Sequence, residues 1–237
     1  MGEGCMFWPR WRPLKGITGW KVPRACAFIV LCLAALQADA FDIRELQVSE
    51  SSGVYHIKLA TVIDAPGEYV YRVLTDYVHI YRLHPSITQS DILASPGAGV
   101  VRVRTRILDC ILIFCMELDR VEDISEVPPY DLHTVIVPSL SNFLSGGADW
   151  HIEDMGDRSK LTYEAQMKPD FPIIPVIGPY FVKRKLRDEL VSTLARIECI
   201  AKIEEDLEWN PHLQPSMVDV DTLCGQQCDS AKGRCPP

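Results

Sequence analysis

The chain has 237 residues, of which 47% are hydrophobic and 24% charged, and its net charge at pH 7 is −8. This composition is typical of a globular protein that is long enough to bury one substantial core. The negative charge argues against a nucleic-acid-binding surface, which needs a basic patch, so we expect no nucleic acid among the partners. The sequence has no Gly-rich phosphate loop and no zinc-protease or EF-hand spacing.

Residues 1–40 have the pattern of an export signal. Five Lys or Arg residues precede an uncharged apolar run at 25–38, and Ala38-Asp39-Ala40 follows it. The run is shorter than the roughly 20 residues of a membrane span, and its small-residue end favours cleavage after Ala40. We therefore expect an exported protein, periplasmic or secreted, in which residues 41–52 form a linker. The alternative is an uncleaved membrane anchor at 25–38.

The folded part is predicted to begin with a strand and two short helical segments. Apolar and polar residues alternate over 53–63, which predicts a half-buried strand. Apolar residues at helical spacing over 67–83 predict one helix and a short second turn, which end at His84-Pro85. His79 and His84 flank this end and are interpreted as surface or capping histidines.

Strands separated by turns are predicted next. The clearest one is 100–108, where Val103 and Thr105 face one way and Arg102, Arg104 and Arg106 face the other. One dry and one wet face are typical of an antiparallel sheet. Another segment, 110–120, is apolar on both sides, which predicts a strand that is covered on both faces or lines a cavity. The predicted strands of this part are 87–94, 100–108, 110–120, 130–137, 146–153 and 161–168.

A long amphipathic helix is predicted over 179–206. Its apolar stripe follows helical spacing, with charged residues largely on the other face. A helix of about 40 Å needs a wide surface beneath it. We therefore predict an α+β fold: a curved antiparallel sheet of about seven strands, two short helices after the first strand, and a long C-terminal helix across the concave face. The stripe consists of Leu186, Leu190, Leu194, Ile197 and Ala201.

Several segments resemble a known superfamily. IDAPGEYVYRVLTDY, HPSITQSDIL and GVVRVRTRI, with the terminal helix, resemble the START-like (SRPBCC, helix-grip) superfamily. Within it they look like the polyketide cyclase/dehydrase and lipid-transport group that includes the coenzyme-Q-binding START proteins. The ligand-binding domain is accordingly placed at 53–208, and 209–237 is interpreted as a disordered tail that contains cysteines. The resemblance implies a ligand cavity between the concave sheet face and the long helix.

The residues expected to face this cavity are aromatic, apolar or weakly polar. Such a lining suits a lipid, a quinone or a polyketide-like molecule. The alternative is that these side chains meet each other and fill the core. The candidate ligand-binding residues are Tyr55, Val103, Thr105, Phe114, Met116, Trp150, Tyr163, Met167, Phe171 and Phe181.

The connection at 169–179 is rich in large apolar residues and proline. An exposed apolar patch of this kind is costly unless it contacts a membrane or a partner. A gate or a membrane-contacting loop is one interpretation of this segment. The alternative is that it packs beneath the end of the helix.

Six cysteines follow the predicted cleavage point, an even number that is compatible with an oxidising compartment. Cys110 and Cys115 are five positions apart, so we expect them on opposite faces of one strand, where they would not bridge each other. The other four are Cys199 in the domain and Cys224, Cys228 and Cys235 in the tail. Three tail cysteines are one short of a tetrahedral zinc site, so no metal site is predicted.

No catalytic residue is predicted, because no nucleophile has a credible base beside it. No cofactor is predicted either, apart from a bound lipid or quinone. We therefore expect a non-enzymatic protein that shields or transports a hydrophobic small molecule. The alternatives are a cyclase or dehydratase acting on a hydrophobic polyketide-like substrate, and a partner-binding module whose core is filled.

Overall fold

The structure is a computed structural model that describes residues 42–111, 114–209 and 222–224, without the side chains of Ile111, Phe114 and Trp209. The predicted leader or anchor at 1–40 lies outside the described residues. So does the predicted tail, apart from residues 209 and 222–224.

Eight strands form one antiparallel sheet with the spatial order β1-β2-β8-β7-β6-β5-β4-β3. Two short helical segments connect β2 to β3, a second 3-10 turn connects β6 to β7, and the long helix follows β8. The strands are β1 (Asp42–Ser51), β2 (Val54–Ile63), β3 (Ile87–Gly97), β4 (Val100–Ile111), β5 (Phe114–Val127), β6 (Asp131–Ile136), β7 (Phe143–Asp154) and β8 (Ser159–Pro169). The helical elements are α1 (Gly67–Thr75), η1 (Ile80–Leu83), η2 (Pro138–Leu140) and α2 (Gly178–Trp209).

The two faces of the sheet differ as the alternation in β4 predicts. Val103 and Thr105 are each only 2% exposed. On the other face Arg102 binds Asp123 through two hydrogen bonds, from Nε to Oδ1 at 2.6 Å and from Nη2 to Oδ2 at 2.8 Å. Arg104 and Arg106 make similar pairs with aspartates on β3 and β5. The wet face is therefore an array of cross-strand ion pairs, and the dry face meets the helices.

Residues 42–51 form strand β1 where the sequence suggested a linker, so the sheet has eight strands instead of about seven. The strand pairs with β2 along its whole length. A β-bulge between Ile43 and Glu45 interrupts the period-2 pattern, and only Ile43, Leu46 and Val48 pack against the core. This irregular, mostly polar edge strand lacks the alternation by which the other strands are recognised.

The predicted strand over 110–120 is wrong, because the chain reverses between Ile111 and Phe114. Cys110 and Cys115 are directly opposite each other in the β4–β5 hairpin and form a disulfide with Cα atoms 3.9 Å apart. The expectation that they would not bridge is therefore also wrong. It assumed one continuous strand, whereas in a hairpin residues equally distant from the turn face each other.

Helix α2 closes the core over the sheet. Of its predicted stripe, Leu194, Ile197 and Ala201 are fully buried, while Leu186 and Leu190 are half-buried. A second disulfide joins Cys199 of α2 to Cys224. None of the described helices is long and apolar enough to pass through a lipid bilayer.

Candidate ligand-binding site

A cavity of about 200 Å³ lies between the N-terminal half of α2, the concave face of the sheet, and the segment from α1 to β3. Most of its wall is aliphatic or aromatic, with a few polar side chains. The lining residues are Ile57, Leu74, Tyr77, Ile80, Leu83, His84, Ser86, Ile87, Ile107, Arg120, Glu122, Ile124, Leu132, Thr134, Ala148, Trp150, Tyr163, Met167, Leu186, Glu189, Leu190 and Thr193.

The cavity volume limits what can bind inside it. An apolar protein cavity of about 150 Å³ holds benzene, and pockets for drug-sized ligands have about 300–1,000 Å³. A cavity of about 200 Å³ therefore accepts a molecule of one or two rings, or a short chain.

Three of the ten candidate ligand-binding residues line this cavity: Trp150, Tyr163 and Met167. Trp150 on β7 and Tyr163 on β8 are directly opposite each other, with ring centroids 4.1 Å apart, and Met167 on β8 is opposite Gly146. The strand alternation that places them there was visible in the sequence.

Six of the other candidates lie outside the cavity lining. Tyr55, Val103 and Thr105 are at most 2% exposed and belong to other parts of the interior. Met116, Phe171 and Phe181 are half-buried outside the lining. The side chain of Phe114 lies outside the described residues.

A charged pair on β5 enters the apolar wall. Arg120 Nε lies 3.0 Å from Glu122 Oε2, in a geometry that makes no hydrogen bond, and Thr134 Oγ1 donates to Glu122 Oε1 at 3.4 Å. Sequence reasoning missed this pair. A signal was present, because both residues share the period-2 face of β5 with the buried Leu118 and Ile124.

Tyr163 is a neutral hydroxyl in this wall. Burial raises the pKa of Tyr163 to about 12, Arg120 lowers it, and Glu122 raises it. A phenol that stays protonated at neutral pH can both donate and accept a hydrogen bond. The Tyr163 hydroxyl therefore adds an uncharged hydrogen-bonding group to the cavity wall near Arg120.

His84 also lines the cavity, whereas the sequence suggested a surface or capping role. Its Nδ1 accepts a hydrogen bond from the backbone N–H of Ser86 at 3.1 Å and lies 2.7 Å from Ser86 Oγ. Burial lowers the pKa of His84 to about 4, with Lys185 and Arg196 adding to the effect and Asp109 opposing it. The imidazole is therefore neutral at physiological pH.

A chain of charges connects the β4–β5 hairpin to the cavity wall. Lys185 Nζ lies 2.5 Å from Asp109 Oδ1 and 2.9 Å from Glu189 Oε1. Burial raises the pKa of Glu189, and the nearby Asp109 raises it further. Lys185 thus links α2 to β4 beside the site. Within the described ranges, no three His, Cys, Asp or Glu side chains are close enough together to hold a metal ion.

The connection before α2 presents an exposed apolar surface. Val176 is 91% exposed and has a positive φ of 71°, a conformation that β-branched residues rarely adopt. Ile174, Ile177 and Tyr180 are exposed beside it. Phe171, in contrast, packs against Phe143, with ring centroids 6.2 Å apart.

Solved structures of similar fold include an aromatase/cyclase, a STAR-related lipid transfer protein and human STARD10. The Zhui aromatase/cyclase from a Streptomyces species is 14% identical, with a TM-score of 0.53 over 63% of this chain and 94% of its own. The STAR-related lipid transfer protein from Xanthomonas axonopodis is 11% identical, with a TM-score of 0.50 over 66% and 98%. Human STARD10 is 16% identical, with a TM-score of 0.52 over 85% and 90%.

At the level of sequence, no family model and no curated protein matches the chain. The structural similarities nevertheless establish the fold, which is the START-like helix-grip fold. They confirm the fold that the resemblance implied and the predicted α+β architecture.

Proposed function

We propose that this chain binds and shields a hydrophobic small molecule in the cavity beneath the N-terminal half of α2. The observation that carries the proposal is the cavity itself, whose apolar wall contains a few polar groups such as Arg120, Glu122 and His84. A mostly apolar pocket with a few converging polar side chains is the usual form of a small-molecule site. The ligand is an apolar molecule with one oxygen-bearing end.

The proposed ligand class is a lipid or an isoprenoid quinone. Because the cavity has only about 200 Å³, it accepts a quinone ring or a short acyl segment, and a longer tail has to pass the half-buried residues of the rim. The lipid transfer protein among the structures of similar fold supports this ligand class. A core packed solid, as a purely partner-binding module would have, does not agree with a cavity of this size.

A cyclase or dehydratase acting on the same kind of ligand is the second candidate. His84 and Glu189 both line the cavity, and the pKa of each is shifted by burial. Shifted titratable groups in a cleft are candidates for acid–base chemistry. The aromatase/cyclase of similar fold supports this alternative.

Two measurements test the binding proposal. Native mass spectrometry after gentle purification detects a small molecule that co-purifies with the protein. Calorimetric titration measures the affinity for 1-tetralone, a two-ring ketone suited to the cavity volume. Ala148→Leu places a larger side chain in the cavity, and we expect it to weaken binding at least about tenfold, because occupied space no longer admits ligand. Ala60→Leu, on the other face of the sheet, is the matched control. Equal binding by the wild type and both variants would refute the cavity as the binding site. Conversion of a bound polyketide-like molecule would favour the enzyme.

We further propose that the apolar surface formed by Ile174, Val176, Ile177 and Tyr180 contacts a membrane from which ligand is collected. Burying one such side chain contributes about 1.5–3 kcal/mol, so several together support reversible attachment. The two disulfides support an exported, periplasmic or secreted location.

Sedimentation with phospholipid vesicles tests the membrane contact. We expect Val176→Asp combined with Ile177→Asp to reduce vesicle binding at least about tenfold. Ile92→Asp is the control, because Ile92 is a comparably exposed apolar residue on β3. If Ile92→Asp weakens vesicle binding as much as the double variant does, the contact does not reside in this surface.

A further inference from the structure

The imidazole of His84 is held in one tautomer by the backbone. A backbone N–H can only donate, so the Ser86 N–H that points at Nδ1 requires a lone pair on that nitrogen. A neutral imidazole carries one proton, which must then reside on Nε2. The arrangement does not depend on the Ser86 hydroxyl, which can rotate, because the backbone amide alone is sufficient.

The Nε2–H group has no hydrogen-bond acceptor among the described residues. His84 lines the cavity, and its only hydrogen bonds among the described residues are those that Nδ1 makes with the backbone N–H and the hydroxyl of Ser86. A half-buried donor without an acceptor is unfavourable unless water or a ligand supplies one. This donor is therefore available to whatever occupies the cavity.

Most other polar groups of the cavity wall can accept a hydrogen bond as well as donate one, or are already paired with another side chain. The hydroxyls of Tyr163 and Thr193 can donate or accept, so they accommodate either kind of ligand atom. Glu122 already receives Thr134 and faces Arg120, and Glu189 is paired with Lys185. Arg120 can also only donate, but it is charged and faces Glu122 at 3.0 Å, so His84 is the uncharged group in this comparison that a backbone contact fixes as a donor.

We infer that the Nε2–H of His84 is a specificity-determining donor that selects ligands with an uncharged oxygen acceptor, such as a carbonyl, over hydrocarbons of the same size. The inference rests on the proposed function and adds the chemistry of the polar end of the ligand. A ligand carbonyl satisfies the donor, whereas a hydrocarbon of the same size displaces water from it and leaves it unpaired. A ketone or quinone oxygen is a suitable partner, since it accepts and cannot donate.

The experiment compares 1-tetralone with tetralin, which have the same two-ring frame and differ in the carbonyl. Calorimetry gives the dissociation constants of both probes for the wild type, His84→Phe and His84→Gln. Phenylalanine keeps a ring of similar size and removes the donor, whereas the amide of glutamine supplies an N–H at a similar reach. We expect the ratio of tetralin to tetralone dissociation constants to fall roughly threefold to tenfold in His84→Phe. It should be largely kept in His84→Gln, with tetralin binding nearly unchanged in both.

The nitrogen-15 chemical shifts of the imidazole give a second test, because they would not respond to the ligand if His84 had only a structural role. At neutral pH we expect the shifts of the Nε2–H tautomer, and we expect the Nε2 signal of His84 to shift with 1-tetralone and not with tetralin. An Nδ1–H tautomer would overturn the inference. A preference for 1-tetralone over tetralin that is the same in His84→Phe as in the wild type would also overturn it. The same holds if His84→Gln loses this preference as fully as His84→Phe does. If the wild type binds neither probe, the proposed function fails together with the inference. If it binds both probes equally well, only the inference about His84 fails.

Discussion

The two halves of helix α2 continue one apolar stripe but lie in different environments. In the C-terminal half, Leu194, Ile197 and Ala201 are at most 2% exposed and belong to the main hydrophobic core with β2, β8 and α1. In the N-terminal half, Leu186 and Leu190 are only half-buried and line the cavity. The same periodic pattern therefore serves core packing at one end and lines the cavity at the other.

Polar contacts tie both halves to the rest of the fold, since Lys202 in the C-terminal half pairs with Asp64 and Glu208 pairs with Arg72. Beyond the core residues, the C-terminal half is joined to residues 222–224 by the Cys199–Cys224 disulfide. The N-terminal half is tied to β4 through Lys185 and Asp109, an ion pair beside the cavity. Because apolar burial contributes more to stability than partly exposed ion pairs, we infer that the C-terminal half anchors the helix. By the same argument, the N-terminal half is held less firmly.

The largest expected effect comes from a core truncation in the anchoring half. Ile197 has no exposed surface, so Ile197→Ala should lower the free energy of unfolding by about 4 kcal/mol. Leu190→Ala, at the edge of an existing cavity, should cost about 1 kcal/mol and enlarge the ligand space. Urea unfolding of both variants measures the contrast, and equal losses would show that the two halves do not differ in this way.

The second effect concerns the disulfides. Replacing Cys199 and Cys224 by alanine opens a loop with a sequence separation of 25, which predicts a loss of about 3.5 kcal/mol. Replacing Cys110 and Cys115, with a separation of 5, predicts about 2 kcal/mol. Urea unfolding without reductant measures both. A larger loss for the hairpin pair would contradict the anchoring role of the C-terminal half.

The smallest effect is a pH dependence at the cavity. Burial lowers the pKa of His84 from its ordinary value of 6.5 to about 4, so between these values the unfolded chain binds more protons than the folded one. The stability contribution of His84 is complete above pH 6.5 and is lost as the pH falls towards 4.

The loss is at most about 1.4 kcal/mol per pH unit, and the partial exposure of the ring reduces it. His84→Gln removes the titrating group, so its unfolding free energy should depend less on pH in this window. Urea unfolding at several pH values measures the difference. Parallel pH profiles for the variant and the wild type would contradict a buried, neutral His84.

Elements with an unbroken period could be predicted from the sequence. Strand β4 alternates between apolar and arginine side chains, and α2 keeps its stripe over many turns, so both are close to their predicted positions. Strand β1 was missed because a bulge interrupts its alternation. The β4–β5 hairpin was missed because residues 108–118 contain no glycine, proline or asparagine that would indicate a turn.

Strand alternation placed Trp150, Tyr163 and Met167 on the face that borders the cavity, since all three lie on regular parts of β7 and β8. It was not sufficient for Tyr55 or Thr105, which share the inner face but lie outside the cavity wall. A residue on the inner face borders either packed side chains or open space. The position of α2 over the sheet decides which.

The sequence by itself determined the layers of this protein, because hydrophobic periodicity is a local property that assigns each element a buried face. Only the tertiary structure decided where those faces leave a cavity, and that His84, Arg120 and Glu122 line it. It also decided which cysteines are paired. Cavities and disulfides depend on distances between residues that are remote in the chain or separated by a reversal, and no local pattern specifies those distances.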